Sequence, residues 1–326
     1  MRIAVLGAGA WGTALAIAFA ARHQVILWSR DSVHAAEMSA RRENSRYLPG
    51  CPFPSSLQVT ADFRAALAGA DLAILAAPLA GLRTLLQELK TAAPAMPFLW
   101  VCKGLEAGSG LWPHQVVDEV MGDATCGVLT GPSFALEVAR GLPAAVTLAA
   151  TNAAFAAKAA QDLHGGKLRI YASEDLIGAE VGGAVKNVLA IATGICDGLG
   201  LGNNARAALI TRGLVEITRF GEALGARRET FMGLAGMGDL MLTCTGELSR
   251  NRRVGLLLAE GRALPDIVRE LGHVAEGVPA AREVARRAEA LGVEMPITRA
   301  VTAVIDGRIT PRAAVEQLMA RGARHE

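Results

Sequence analysis

Short aliphatic runs closed by turn residues fill the first half of the chain, and longer helix-type stripes fill the second. Residues 2–6, "RIAVL", predict a buried strand, "WGTALAIAFAAR" a helix and "QVILW" the next strand. Further strand-type runs cover 71–78, 97–104, 126–133, 143–150 and 168–173, with helical segments such as "LAGLRTLLQELKTA" between them. This alternation predicts a doubly wound, mostly parallel α/β sheet. Beyond residue 173 the strand signals stop. Helices are expected over 175–192, 204–224, 252–260, 264–271, 279–291, 297–305 and 311–321, with Gly and Pro at their ends. The division predicts an α/β domain over 1–172 and an all-α domain over 173–326, packed directly with a cleft between them.

A chain of 326 residues is long for one core and comfortable for two. The formal charge of +2 comes without a basic run, which argues against nucleic acid and leaves only small, locally bound anions as partners. Five scattered cysteines without a C-x-x-C pair fit a reducing cytoplasm and argue against a disulfide framework or a metal site. The basic, apolar N-terminus resembles a secretory signal. Its patterned glycines and the strand that follows favour a cytoplasmic βαβ unit, with no membrane insertion.

"GAGAWG" at 7–12 supplies G-x-G-x-x-G between a strand and a helix. Gly7 suits the tight turn, Gly9 a close pyrophosphate, and Gly12 helix–strand packing, with Ala10 opening a helix whose free N–H groups attract phosphate. This predicts a Rossmann-like dinucleotide-binding domain. At the end of the second strand Ser29 and Arg30 precede Asp31, where NAD sites usually carry an acid. A guanidinium suits a 2′-phosphate, so NADP(H) is favoured and NAD(H) allowed, although a solvated turn arginine would read the same way. Trp11 either covers the fold's upper edge or shelters the cofactor. Lys103 leaves a strand at the edge where open sheets bind ligands, and Gly131 with Ser133 offers donors to an anion or caps the next helix.

Lys186 is the only charged residue between Val181 and Ile195. An unpaired buried ammonium is costly, so it either reaches water or lines a cavity and does chemistry. Its helical neighbours Gly182, Gly183 and Ala190 are small and suggest room for a ligand. A desolvated lysine there would donate a proton to a carbonyl oxygen. Downstream, Asp239 follows a Gly-x-Gly turn, and Ser249 caps a helix opening on Arg250 and Asn251. A basic helix start opposes the macrodipole, so either an anion is expected nearby or the cluster is a solvated basic turn.

"GAGAWGTALA", "YLPG", "KGLE", "GPSFALEVARG", "GAVKN", "NARAALITRG", "GLAGMGDLMLTCT", "SRNRR", "AEGV" and "VEMPI" occur in this order. Together they resemble bacterial NAD(P)-dependent glycerol-3-phosphate dehydrogenase along nearly the whole chain. The resemblance implies reduction of dihydroxyacetone phosphate to sn-glycerol 3-phosphate for glycerophospholipids, in the cytoplasm. It implies a helical second domain of the 6-phosphogluconate dehydrogenase-like type and a homodimer. Lys186 falls on the catalytic lysine. Lys103, Gly131, Ser133, Lys186, Asp239, Ser249, Arg250 and Asn251 fall on substrate positions; Trp11, Arg30, Lys103, Ala135, Arg250, Val274 and Glu276 fall on cofactor positions. Asn203, Ala144 and Val185 depart from the family's usual residues. The rival readings are a reductase of a small keto or β-hydroxy acid, which does not call for "SRNRR", and a non-catalytic NADP(H)-sensing module, which does not need Lys186.

Overall fold

The computed structural model describes residues 1–271 and 275–322. Its residues separate into two compact units, Met1–Glu180 and Val181–Glu326, the division falling inside the helix Leu176–Gly198.

The first unit is built on eight strands: β1 (Arg2–Leu6), β2 (Gln24–Trp28), β3 (Leu57–Thr60), β4 (Leu72–Leu75), β5 (Phe98–Trp100), β6 (Cys126–Thr130), β7 (Ala144–Ala149) and β8 (Leu168–Ser173). They form one sheet in the order β3-β2-β1-β4-β5-β6-β7-β8. All neighbouring pairs are parallel except β6 with β7, where Val128 faces Ala149 and Thr130 faces Thr147. The interior strands are continuous apolar runs because helices cover both faces. β8, at one edge, alternates buried and exposed positions instead. β3, at the other edge, is the strand the sequence pattern did not announce. It is short and only its first residue, Leu57, is buried.

The helix Ala10–Ala20 is buried on nearly every side, which explains its lack of a polar stripe. Other helices start on side-chain caps: Asp31, Asp62 and Asn152 accept from the backbone N–H groups of His34, Ala65 and Phe155. The order of connections reverses between β1 and β4, which puts a crevice beyond their carboxyl ends.

The second unit is helical throughout its described residues. The apolar Leu176–Gly198 helix is long enough to span a bilayer, yet 94% of its most apolar stretch is buried inside the protein, so it is a core helix. It extends past the expected end at residue 192. Its backbone meets that of the helix Arg250–Ala259, where a Cβ added to Gly255 would lie 2.1 Å from the Ile191 carbonyl oxygen. A one-turn π-helix, Leu234–Gly238, and the helix Asp239–Thr245 form a corner where the sequence predicted only a turn.

Candidate active site

The glycines of the phosphate turn differ in what surrounds them. Gly7, just past β1, has φ +129°, and a Cβ there would lie 2.6 Å from the Ala76 carbonyl oxygen beyond β4. A Cβ on Gly12 would lie 2.1 Å from the Gly7 carbonyl oxygen, so only glycine lets the helix begin this close. Gly9 is different: a Cβ there would meet nothing within 4 Å. The bare backbone at Gly9 therefore faces open space at the N-terminus of Ala10–Ala20, a cradle that fits a pyrophosphate. Trp11 is half-buried against the core beside this turn.

A buried network that the sequence reading missed holds the turn in shape. Asn44 Nδ2 donates to the Ala8 carbonyl at 2.9 Å and to Thr13 Oγ1 at 2.8 Å, while Asn44 Oδ1 lies 3.0 Å from His34 Nε2. Asn44 precedes "YLPG", but nothing in its local pattern indicates that it folds back under residues 8–13.

The remaining first-unit candidates follow the carboxyl ends of neighbouring strands. Arg30 is exposed after β2. Asp31 is committed elsewhere: it caps the helix Ser32–Arg41 and lies 3.6 Å from Arg46, and the His34 N–H holds its carboxyl below the usual range. Lys103 is half-buried in the segment after β5. Gly131, with φ +132°, follows β6, and Ser133 Oγ donates to its carbonyl at 2.9 Å. Ala135 opens the next helix, Ala135–Ala139.

In the second unit Lys186 is 7% exposed and Asp239 1%. Lys186 Nζ donates to Asp239 Oδ1 at 2.5 Å and to Thr243 Oγ1 at 2.9 Å. Thr243 Oγ1 in turn donates to the Asp239 carbonyl at 2.6 Å. Asp239 and Thr243 are one helical turn apart in Asp239–Thr245, so both face the ammonium. A buried carboxylate offsets the cost of the buried charge and fixes where the ammonium sits. The sequence reading missed Thr243; its spacing four residues after Asp239 was the available signal.

The space expected beside Lys186 is partly taken. A Cβ on Gly182 would lie 2.3 Å from the Ala235 carbonyl oxygen, so the π-turn fills that part of the stripe. The glycine admits protein backbone there rather than a ligand, and this close approach brings Asp239 within reach of the lysine.

Ser249 caps the helix Arg250–Ala259 by accepting from the Arg252 N–H at 3.3 Å, so the helix opens on Arg250 as the cap predicts, two residues ahead of the start at 252 that the periodicity gives. The basic cluster then divides. Arg252 donates to Asp197 at 2.9 and 2.6 Å, which supplies part of the anion the sequence called for from within the chain. Arg250 is exposed and makes no ion pair among the described residues. Asn251 is buried; its Nδ2 donates to Asn187 Oδ1 and its Oδ1 accepts from the Gly277 N–H, both at 2.9 Å. One side-chain hydrogen bond thus links the residue after Lys186 to the residue after Arg250. Glu276 is half-buried next to Gly277, and Val274 lies outside the described residues.

Residues 2–156 match the model of the NAD-dependent glycerol-3-phosphate dehydrogenase N-terminus and residues 175–316 that of its C-terminus. Glycerol-3-phosphate dehydrogenase (NAD(P)+) of Dechloromonas aromatica is 63% identical over 327 residues, covering 100% of this chain and 99% of that one. The protein of the same name from Aromatoleum aromaticum is 62% identical and covers 100% of both. The crystal structure of glycerol-3-phosphate dehydrogenase from Coxiella burnetii superposes with a TM-score of 0.93 at 43% identity, over 98% of this chain and 99% of that one. With both family models matched across the same glycine turn and the same buried lysine, this chain belongs to the NAD-dependent glycerol-3-phosphate dehydrogenase family.

Proposed function

We propose that this chain reduces dihydroxyacetone phosphate to sn-glycerol 3-phosphate with NAD(P)H, and that Lys186 is the acid. Bound NAD(P)H supplies the hydride that reaches C2. Gly7, Gly9, Ala10, Trp11 and Gly12 hold the dinucleotide, and Arg30 takes the 2′-phosphate when the cofactor is NADPH. The carboxylate of Asp31 is already engaged as a helix cap, which supports a cationic rather than an acidic contact at the ribose.

Lys186 Nζ gives a proton to the C2 oxygen as negative charge grows there, so the product leaves as the neutral alcohol. Asp239, with Thr243, aims the ammonium; a group held this way needs no reorganisation when the charge develops. Arg250 and the free N–H groups opening its helix hold the substrate phosphate, with Ser249 fixing the turn. Asn251 contributes through the amide hydrogen that it does not donate to Asn187. Lys103, Gly131 and Ser133 complete the contacts to substrate, and Lys103, Ala135, Val274 and Glu276 those to cofactor.

The observation that carries this reading is the buried Lys186–Asp239–Thr243 arrangement, which a binding module has no need to maintain. The test is NADPH oxidation with dihydroxyacetone phosphate and with dihydroxyacetone. Rapid, phosphate-dependent turnover is expected. Equal rates with both substrates overturn the phosphate cradle, and cofactor binding without turnover indicates a sensor. The reading extends to a cytoplasmic homodimer, without membrane insertion, that supplies glycerophospholipid synthesis. A sedimentation mass of one chain would refute the dimer.

A further inference from the structure

Glu180, in the helix Leu176–Gly198 and within the first unit, is 5% exposed. Its carboxylate accepts from Trp100 Nε1 at 3.0 Å and from the His114 backbone N–H at 3.0 Å, and pairs with His114 Nδ1 at 2.5 Å. Trp100 is the last residue of β5, and His114 lies in the first turn of the helix Pro113–Met121. Between them runs segment 101–112, which carries Lys103. Both ends of that segment are therefore fastened to one carboxylate.

The middle of the segment is tied separately. Arg83 donates to Glu106 at 2.9 and 2.8 Å and to Glu119 at 2.8 Å, and Ser109 Oγ donates to Glu106 at 2.6 Å. Immediately after Lys103 the backbone turns through Gly104 at φ +108°, with neither helix nor strand to stiffen it. Burial drives the Glu180 carboxyl up from its ordinary range against the pull of His114 and Trp100, so keeping an acid there carries a cost that an apolar filler would avoid. What the acid adds is direction: one rigid acceptor reaching two separate elements.

We propose that Glu180 is a positioning residue for Lys103. By tying Trp100 and His114 to one buried carboxylate, it fixes the span of segment 101–112 and sets where the Lys103 ammonium meets its ligands. The inference rests on the reading of Lys103 as a group contacting cofactor and substrate.

The experiment uses the full chain and four changes: Glu180→Ala, Glu180→Gln, Trp100→Phe and Lys103→Ala. The readouts are KM for dihydroxyacetone phosphate, Kd for NADPH, kcat per folded molecule, and Tm. Glu180→Ala is expected to raise KM and Kd about tenfold, and Trp100→Phe about threefold, the scale of losing one or more aligning hydrogen bonds. Glu180→Gln keeps an acceptor for Trp100 and the His114 N–H and is expected to stay within about threefold of the parent. Added to Lys103→Ala, Glu180→Ala should raise KM no further, because the two losses act through the same ammonium. If Glu180→Ala does not fold, Trp100→Phe completes the same cycle. Two results overturn the proposal alone: independent, multiplying effects at the two sites, or a lowered Tm with KM and Kd unchanged. If Lys103→Ala itself leaves KM and Kd unaltered, the reading of Lys103 falls and takes this proposal with it.

Discussion

Replacing Lys186 by methionine removes the ammonium and keeps an unbranched stem of similar bulk. Two separate consequences follow from the geometry. Loss of a positioned proton donor lowers turnover about 10²–10⁴-fold, or about 3–5 kcal/mol of barrier. Asp239, 1% exposed and 2.5 Å from the lost nitrogen, then sits without its ammonium, which costs roughly 3 kcal/mol of stability. The two effects separate in the double variant Lys186→Met with Asp239→Asn, where the remaining charge is also removed. Stability should largely return and turnover should not. Steady-state NADPH oxidation gives kcat and KM, and urea melts followed by far-UV circular dichroism give stability. KM for dihydroxyacetone phosphate is expected to change little, since the proton is needed chiefly in the transition state. A folded Lys186→Met enzyme turning over within tenfold of the parent would refute the assignment of the acid. So would a double variant that regained activity along with stability.

Arg30→Asp should weaken NADPH binding far more than NADH binding in fluorescence titrations; equal losses refute the 2′-phosphate contact. Arg250→Ala should raise KM for dihydroxyacetone phosphate about 10–100-fold, the worth of a charge-assisted pair, with kcat less affected. A KM unchanged by that substitution places the phosphate elsewhere. Glu216 caps the helix Pro296–Ile305 by accepting from the Ile297 N–H at 2.6 Å and from Thr298 at 3.2 Å. Burial nonetheless pushes its carboxyl from an ordinary 4.5 up to about 7. Between those values the folded state holds a proton that the unfolded chain has released, so this group stabilises the fold at the acid end and the benefit is lost as pH rises through 7. The stability difference between the parent and Glu216→Gln should therefore swing by about 3 kcal/mol across that window, measured by urea melts. A difference that stays flat with pH would contradict the raised value.

Sequence by itself determined what depends on neighbours along the chain. The glycines of the phosphate turn, the aliphatic strands of the sheet interior, the Asp31, Asn152 and Ser249 caps and the run of helices after residue 173 all follow from local rules of sterics and periodicity. The ordered motifs even fixed the family. Tertiary structure decided what depends on residues far apart. The short strand β3 gains its place only by pairing with β2, because four residues with a single buried side chain carry no period to read. Asp239 reaches Lys186 across 53 positions only because Gly182 admits the Ala235 carbonyl. One of the three arginines of "SRNRR", Arg252, is answered by Asp197, and Asn44 folds back under the glycine turn, neither of which any local pattern encodes. A buried charge can be recognised from sequence as needing a partner, but which partner satisfies it is settled only when packing excludes water and leaves one group within hydrogen-bonding distance.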